Sequence, residues 1–173
     1  MKRIIILAAL AAVFIAGPAL YADQDEEYQI VRSTVVAIAS RHPDPAKTRA
    51  AIDQVSSSPA PHLMALAADA SERSYIRAAA LDLLTAYAAA PGVLEFLEER
   101  ISDVTATERK VAIRAYARGF HASHRVRVEM HLIRCASSDP DRGVGETAAR
   151  VLLAAQAGEL KPQLSGDYRQ LKR

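Results

Sequence analysis

The stretch "SSDPDRGVGETAARVLLAAQ", from Ser137 to Gln156, decides how the whole chain is read. Asp139 or Asp141 is placed to cap free backbone N–H groups, and an aspartate there also complements the positive end of a helix dipole. Pro140 has a fixed φ suited to helix entry. Val144, Ala148, Val151 and Ala155 then recur at spacings of four, three and four, which is one face of an α-helix. Gly158 follows, where a left-handed C-terminal residue is easiest for glycine. The pattern predicts a helix over Val144–Ala157 with readable ends.

The same phrase occurs upstream. "RAAALDLL" begins at Arg77, "RKVAIRAY" at Arg109 and "GETAARVL" at Gly145, so the copies are offset by 32 and 36 residues. This register aligns Ala80, Ala112 and Ala148, then Leu81, Ile113 and Ala149, then Leu84, Tyr116 and Leu152. Six residues before each start stand Ser71, Asp103 and Asp139, all turn or cap residues. Thr105 with Glu108 reads as a capping box, in which each residue satisfies a free N–H of the other's neighbourhood. A small residue at the recurring alanine lets a neighbouring helix approach closely, and the large apolar residue four positions later fills the space beyond. Ala80, Leu84, Ala112, Tyr116, Ala148 and Leu152 are therefore expected in the core.

The pattern Asp-Pro-Asp-x-x-Val-x-x-x-Ala-Ala-x-x-Leu, from Asp139 to Leu152, resembles the first helix of a HEAT repeat. Ile76-Arg77 matches that family's usual Val-Arg pair, Glu108-Arg109 keeps only the arginine, and Val144-Gly145 lacks it. The Trp and Gly-Tyr signature of tetratricopeptide repeats is absent, as is the Thr-Pro-Leu-His phrase of ankyrin repeats. The resemblance covers residues 43–158 and implies an all-α fold, a short right-handed α-solenoid of antiparallel helix pairs. It also implies that the second helices of the pairs line one concave face.

The first residues have the layout of a secretory leader. Lys2 and Arg3 precede an apolar run from Ile4 to Ala16, and "GPALYADQ" supplies a breaker and a small residue at Ala22. Cleavage is expected between Ala22 and Asp23, because about 13 apolar residues fall short of the roughly 20 that span a bilayer. No Cys follows the run, so lipid attachment there has no support. The short basic start suits a bacterial signal peptide, and export to the periplasm is the expectation. The chain has 22 Lys and Arg against 20 Asp and Glu. The leader contains two of the former and none of the latter, so the remainder is balanced and a global attraction to nucleic acid has little support.

The remainder reads as helices throughout, organised as a capping helix over 23–42, repeats over 43–158 and a tail over 159–173. Tyr28, Val31, Val35 and Ile38 form the stripe of the first helix. "HPDPAK" restarts the chain at Asp44 and Pro45, and "SSSPAP" breaks it again before Leu63, Leu66 and Ala70. Two pairs are expected, Ser74–Ala89 with Gly92–Ile101 and Thr107–Phe120 with His124–Ala136, leaving the helix from Val144 without a full-length partner.

Chemistry, if present, is concentrated in "HASHRVRVEMHLIRC". His124, His131 and Cys135 fall near one helical direction, and His121 precedes them. His131 and Cys135, four residues apart, are near enough to share a metal. His124 is about 10 Å away along the axis, and two ligands do not make a structural zinc site. Cys135 is the single cysteine, so it has no internal disulfide partner; burial or pairing between chains is the expectation. Val126, Met130 and Ile133 form the neater apolar stripe and are expected to be buried. No phosphate loop, paired catalytic carboxylates or dinucleotide fingerprint occurs, and no cofactor or catalytic residue is assigned.

Arg125, Arg127 and Arg134 make this helix basic, whereas Glu95, Glu98 and Glu99 make the helix before the previous one acidic. Arg127, His131 and Arg134 are expected to form a partner-binding face, with Glu95, Glu98 and Glu99 as a second, acidic patch. The expected function is an exported helical-repeat scaffold that binds another protein of the cell envelope, without catalysis or a lasting membrane anchor. The alternative is a periplasmic enzyme or metal-handling protein using His121, His124, His131 and Cys135.

Overall fold

A computed structural model describes residues 25–39, 45–103 and 105–160. Eight α-helices and no strand occur among them: α1 (25–39), α2 (Pro45–Asp53), α3 (Pro59–Ala68), α4 (Ser74–Leu83), α5 (Val93–Asp103), α6 (Ala106–Phe120), α7 (Arg125–Ser138) and α8 (Arg142–Gln156). The predicted leader and its cleavage bond, and the tail from Lys161 onward, lie outside the described residues. No helix among those described is long and apolar enough to cross a membrane.

Local sequence sets the ends of these helices. Pro59 opens α3 at its first turn, where the missing N–H costs nothing. Thr105 caps α6, its side chain accepting from the Glu108 N–H. The reciprocal half of the expected capping box is not made: Glu108 Oε1 instead accepts from the Arg77 guanidinium of α4. At α8 the cap is Asp141, whose Oδ1 accepts from the Val144 N–H at 2.9 Å. Pro140 thus precedes the cap rather than entering the helix. Gly92 and Gly158 take positive φ, 80° and 72°, ending one turn before α5 and closing α8. The expected long helix from Ser74 to Ala89 is α-helical only to Leu83 and tightens into a 3-10 turn over Leu84–Tyr87.

The helices pack in pairs, α3 with α4, α5 with α6 and α7 with α8, and α6 also packs along both α4 and α8. Short connections between members of each pair make them antiparallel. The pairing is one helix out of phase with that expected from the sequence: α8 has a full-length partner in α7, while α6 meets α7 less extensively. The starts of α4, α6 and α8 reproduce the 32- and 36-residue offsets. Ala80, Ala112 and Ala148 are fully buried, as are Leu84 and Tyr116, while Leu152 is half-buried at the edge of the core. Alanine at the recurring position is what allows α4, α6 and α8 to stack side by side.

Ion pairs join α1 to the segment before α4, α4 to α6, and α6 to the segment before α8. Arg32 of α1 pairs with Glu72, Arg77 with Glu108, and Arg109 with Asp139. The last is bidentate, Arg109 Nε and Nη2 donating to the two Asp139 oxygens at 2.9 Å each. In the third copy Gly145 stands where Arg77 and Arg109 stand in the first two. A Cβ there would lie 3.2 Å from the Ala136 carbonyl oxygen, so the close approach of α7 to α8 takes the space an arginine would need. At the other end Val31, Val35 and Ala39 of α1 are buried, with Tyr28 and Ile38 partly so. Tyr87 ties the 3-10 turn to α2, its hydroxyl donating to Asp53 Oδ1 at 2.8 Å.

Candidate functional site

The apolar stripe of α7 faces the opposite way from the sequence expectation. Val126, Met130 and Ile133 are 73%, 56% and 52% exposed, whereas Val128 and Leu132 are fully buried. Both sets have helical spacing, about half a turn apart. Three large apolar side chains at successive turns of one helix, in water, are an uncommon use of surface. Arg127 and Arg134 flank them on one side and Glu129 on the other.

The two charged groups expected to form separate patches meet instead. Glu98 of α5 is half-buried between α5, α6 and α7. Its Oε2 accepts from Arg127 Nη2 at 2.5 Å, its Oε1 accepts from the Tyr116 hydroxyl at 2.6 Å, and His131 Nε2 lies 3.5 Å from that same oxygen. Burial raises the Glu98 pKa, but these donors together outweigh it and hold the carboxyl below its ordinary value. Burial first, and then the Glu98 carboxylate, push the Tyr116 phenol upward, keeping it protonated and donating. His131 packs edge-on against the Tyr116 ring at 5.7 Å. Of the six residues expected to bind a partner, Arg127, His131 and Glu98 therefore form one interhelical cluster. Glu95, Glu99 and Arg134 are exposed.

The alternative His/Cys set is dispersed. His121 Nε2 lies 3.1 Å from Glu129 Oε1. His124 Nδ1 lies 2.9 Å from the Ser123 hydroxyl, and the ring sits edge-on to Phe120. His131 turns to Glu98. Cys135 is a half-buried free thiol, pushed up by burial and then by Asp139, which leaves little thiolate for nucleophilic work. No group of three or more His, Cys, Asp or Glu placed to hold a metal occurs among the described residues.

Sequence reasoning passed over three arginines of α6 and α8. Arg114 and Arg118 of α6 and Arg150 of α8 line a cleft of about 280 Å³ together with Val151, Ala154, Glu159 and Leu160. The signal was available in the repeat register, because Asp82, Arg114 and Arg150 occupy equivalent positions of the three copies. Comparison with known protein families, with curated proteins and with solved structures returns no match to the chain.

Proposed function

We propose that the chain is a short HEAT-like, right-handed α-solenoid that is exported and acts as a scaffold, binding another protein of the cell envelope through the outward face of α7. The observation that carries this reading is the exposure of Val126, Met130 and Ile133 beside Arg127 and Arg134. Burying such a stripe at an interface removes apolar area from water at about 25 cal/mol per Å², and the arginine rim sets approach and register. Because Arg127 is already paired with Glu98, Arg134 is the arginine more available to a partner's carboxylate. Repeat architecture supports the reading, since stacked helix pairs present extended surfaces to partners, and the leader-like start supports export.

The test is recovery of a partner from the native envelope fraction by crosslinking and mass spectrometry, with variants alongside. Met130→Asp places a charge in the middle of the stripe and should abolish recovery of the partner. Arg134→Glu should slow association and weaken its salt dependence. Both positions are exposed, so the unfolding midpoint should move little. A partner retained in full by Met130→Asp places the binding surface elsewhere. The dispersed His/Cys set carries no second reading.

A further inference from the structure

We infer that the exposed face of α7 is where two copies of this chain pair, as a parallel two-fold dimer. The inference rests on the reading of that face as a binding surface, and it names a second copy as what covers the stripe in the absence of an envelope partner. Val126, Met130 and Ile133 are followed by the exposed Ser137, at intervals of four, three and four. That is the spacing of the d and a positions of a heptad. The Ser137 hydroxyl donates to the Ile133 carbonyl oxygen at 3.0 Å, so it is satisfied within its own helix when covered. With 14 residues, α7 carries two heptads. The rest of the fold already holds it helical, so pairing does not have to meet the cost of helix nucleation.

Charge on the two flanks selects the occupant and its direction. In the same register Arg127 and Arg134 are e positions, and Glu129 is the g position five residues before Arg134. In a parallel pair the g flank of each helix meets the e flank of the other at that interval. Glu129 of one copy then meets Arg134 of the second, and the two-fold axis repeats the contact. Glu129 accepts from Arg125 Nε at 2.9 Å and lies 3.1 Å from His121 Nε2, both through Oε1, and the guanidinium of the second copy can reach Oε2. An antiparallel pair would set each flank against itself, Arg127 beside Arg134 and Glu129 beside Glu129, and like charges oppose it. The helix thus carries both halves of its complement, which a second copy supplies and an unrelated partner need not.

Sedimentation equilibrium of the full chain over a concentration series tests the pairing. Two helices of this length bury less than a standard interface, so the unaltered chain should pass from monomer to dimer with a Kd of roughly 1–100 μM. Met130→Asp should weaken the dimer at least about 100-fold, because each copy would bury a carboxylate in the seam. Arg134→Glu sets like charges together twice across the parallel dimer and should weaken it about ten-fold, as should Glu129→Lys. An equimolar mixture of these two variants should associate as the unaltered chain does, since both contacts are then complementary. A monomer at every concentration, or a dimer indifferent to Met130→Asp, would overturn the proposal. A dimer unchanged or tightened by Arg134→Glu, or a mixture no tighter than either variant alone, would overturn the parallel arrangement. A chain that stays monomeric yet recovers an envelope partner overturns the dimer and leaves the scaffold reading standing. A dimer with no partner recovered does the reverse.

Discussion

Ala112→Arg should lower the stability of the chain by more than about 3 kcal/mol, a large share of the 5–15 kcal/mol usual for a folded domain. Ala112 is fully buried at the middle of α6, the helix that packs along both α4 and α8. Overpacking such a site costs about 1–3 kcal/mol on its own, and an unpaired guanidinium in the same place adds the cost of desolvating a charge. Thermal or urea unfolding followed by circular dichroism provides the measurement. Ala112→Ser serves as the mild comparison, since it adds one hydroxyl oxygen and no charge. Equal midpoints for Ala112→Arg and the unaltered chain would mean that α4, α6 and α8 do not stack on their alanines.

Asp139→Ala should cost about 3 kcal/mol through a different route. It leaves Arg109, only 13% exposed in its side chain, without the two oxygens that it now binds, and breaking a largely buried ion pair by removing one partner is among the more expensive changes a fold can carry. It also removes the acceptor for the Asp141 N–H at 2.8 Å, just before the cap of α8. Arg109→Met in the same chain should recover part of the loss, because the buried guanidinium that lost the two Asp139 oxygens is then removed as well. The double-mutant cycle measures the coupling. The pair also sets an acid limit. Burial raises the Asp139 pKa, but the Arg109 and Asp141 N–H hydrogen bonds outweigh it, and the native carboxyl titrates below its ordinary value. The unfolded chain therefore takes up the proton first: the contribution is complete above the unfolded pKa of about 3.9 and is lost as pH falls through the depressed native value. Stability should decline below about pH 4, and with a shallower slope in Asp139→Asn than in the unaltered chain.

The cap at Asp141, the face formed by Val144, Ala148, Val151 and Ala155, and Gly158 at the close were all legible locally, because each depends on interactions within a turn or two. The repeat was legible for a related reason. A stacked helix needs a small residue at one contact and a large one beside it, and Ala80, Ala112 and Ala148 repeat that requirement at the spacing of the units. The equivalence of Asp82, Arg114 and Arg150 was legible too, but only to a comparison of the residues that follow the recurring alanines.

What a single helix cannot encode is which of two apolar faces will meet its neighbours. Val126, Met130 and Ile133 look like a core stripe, and so do Val128 and Leu132. Tertiary contact decided between them: Gly145 brings α8 against the Ala136 carbonyl, turning the first set to water. The same rotation carries Arg127 and His131 to Glu98, so that charges which alternate along the chain as opposed patches are joined across α5 and α7. Helix existence, ends and repeat length followed from local forces within the sequence. Pairing phase, the exposed stripe and the α6–α8 cleft depend on which surfaces pack closest, and only the assembled helices settle that.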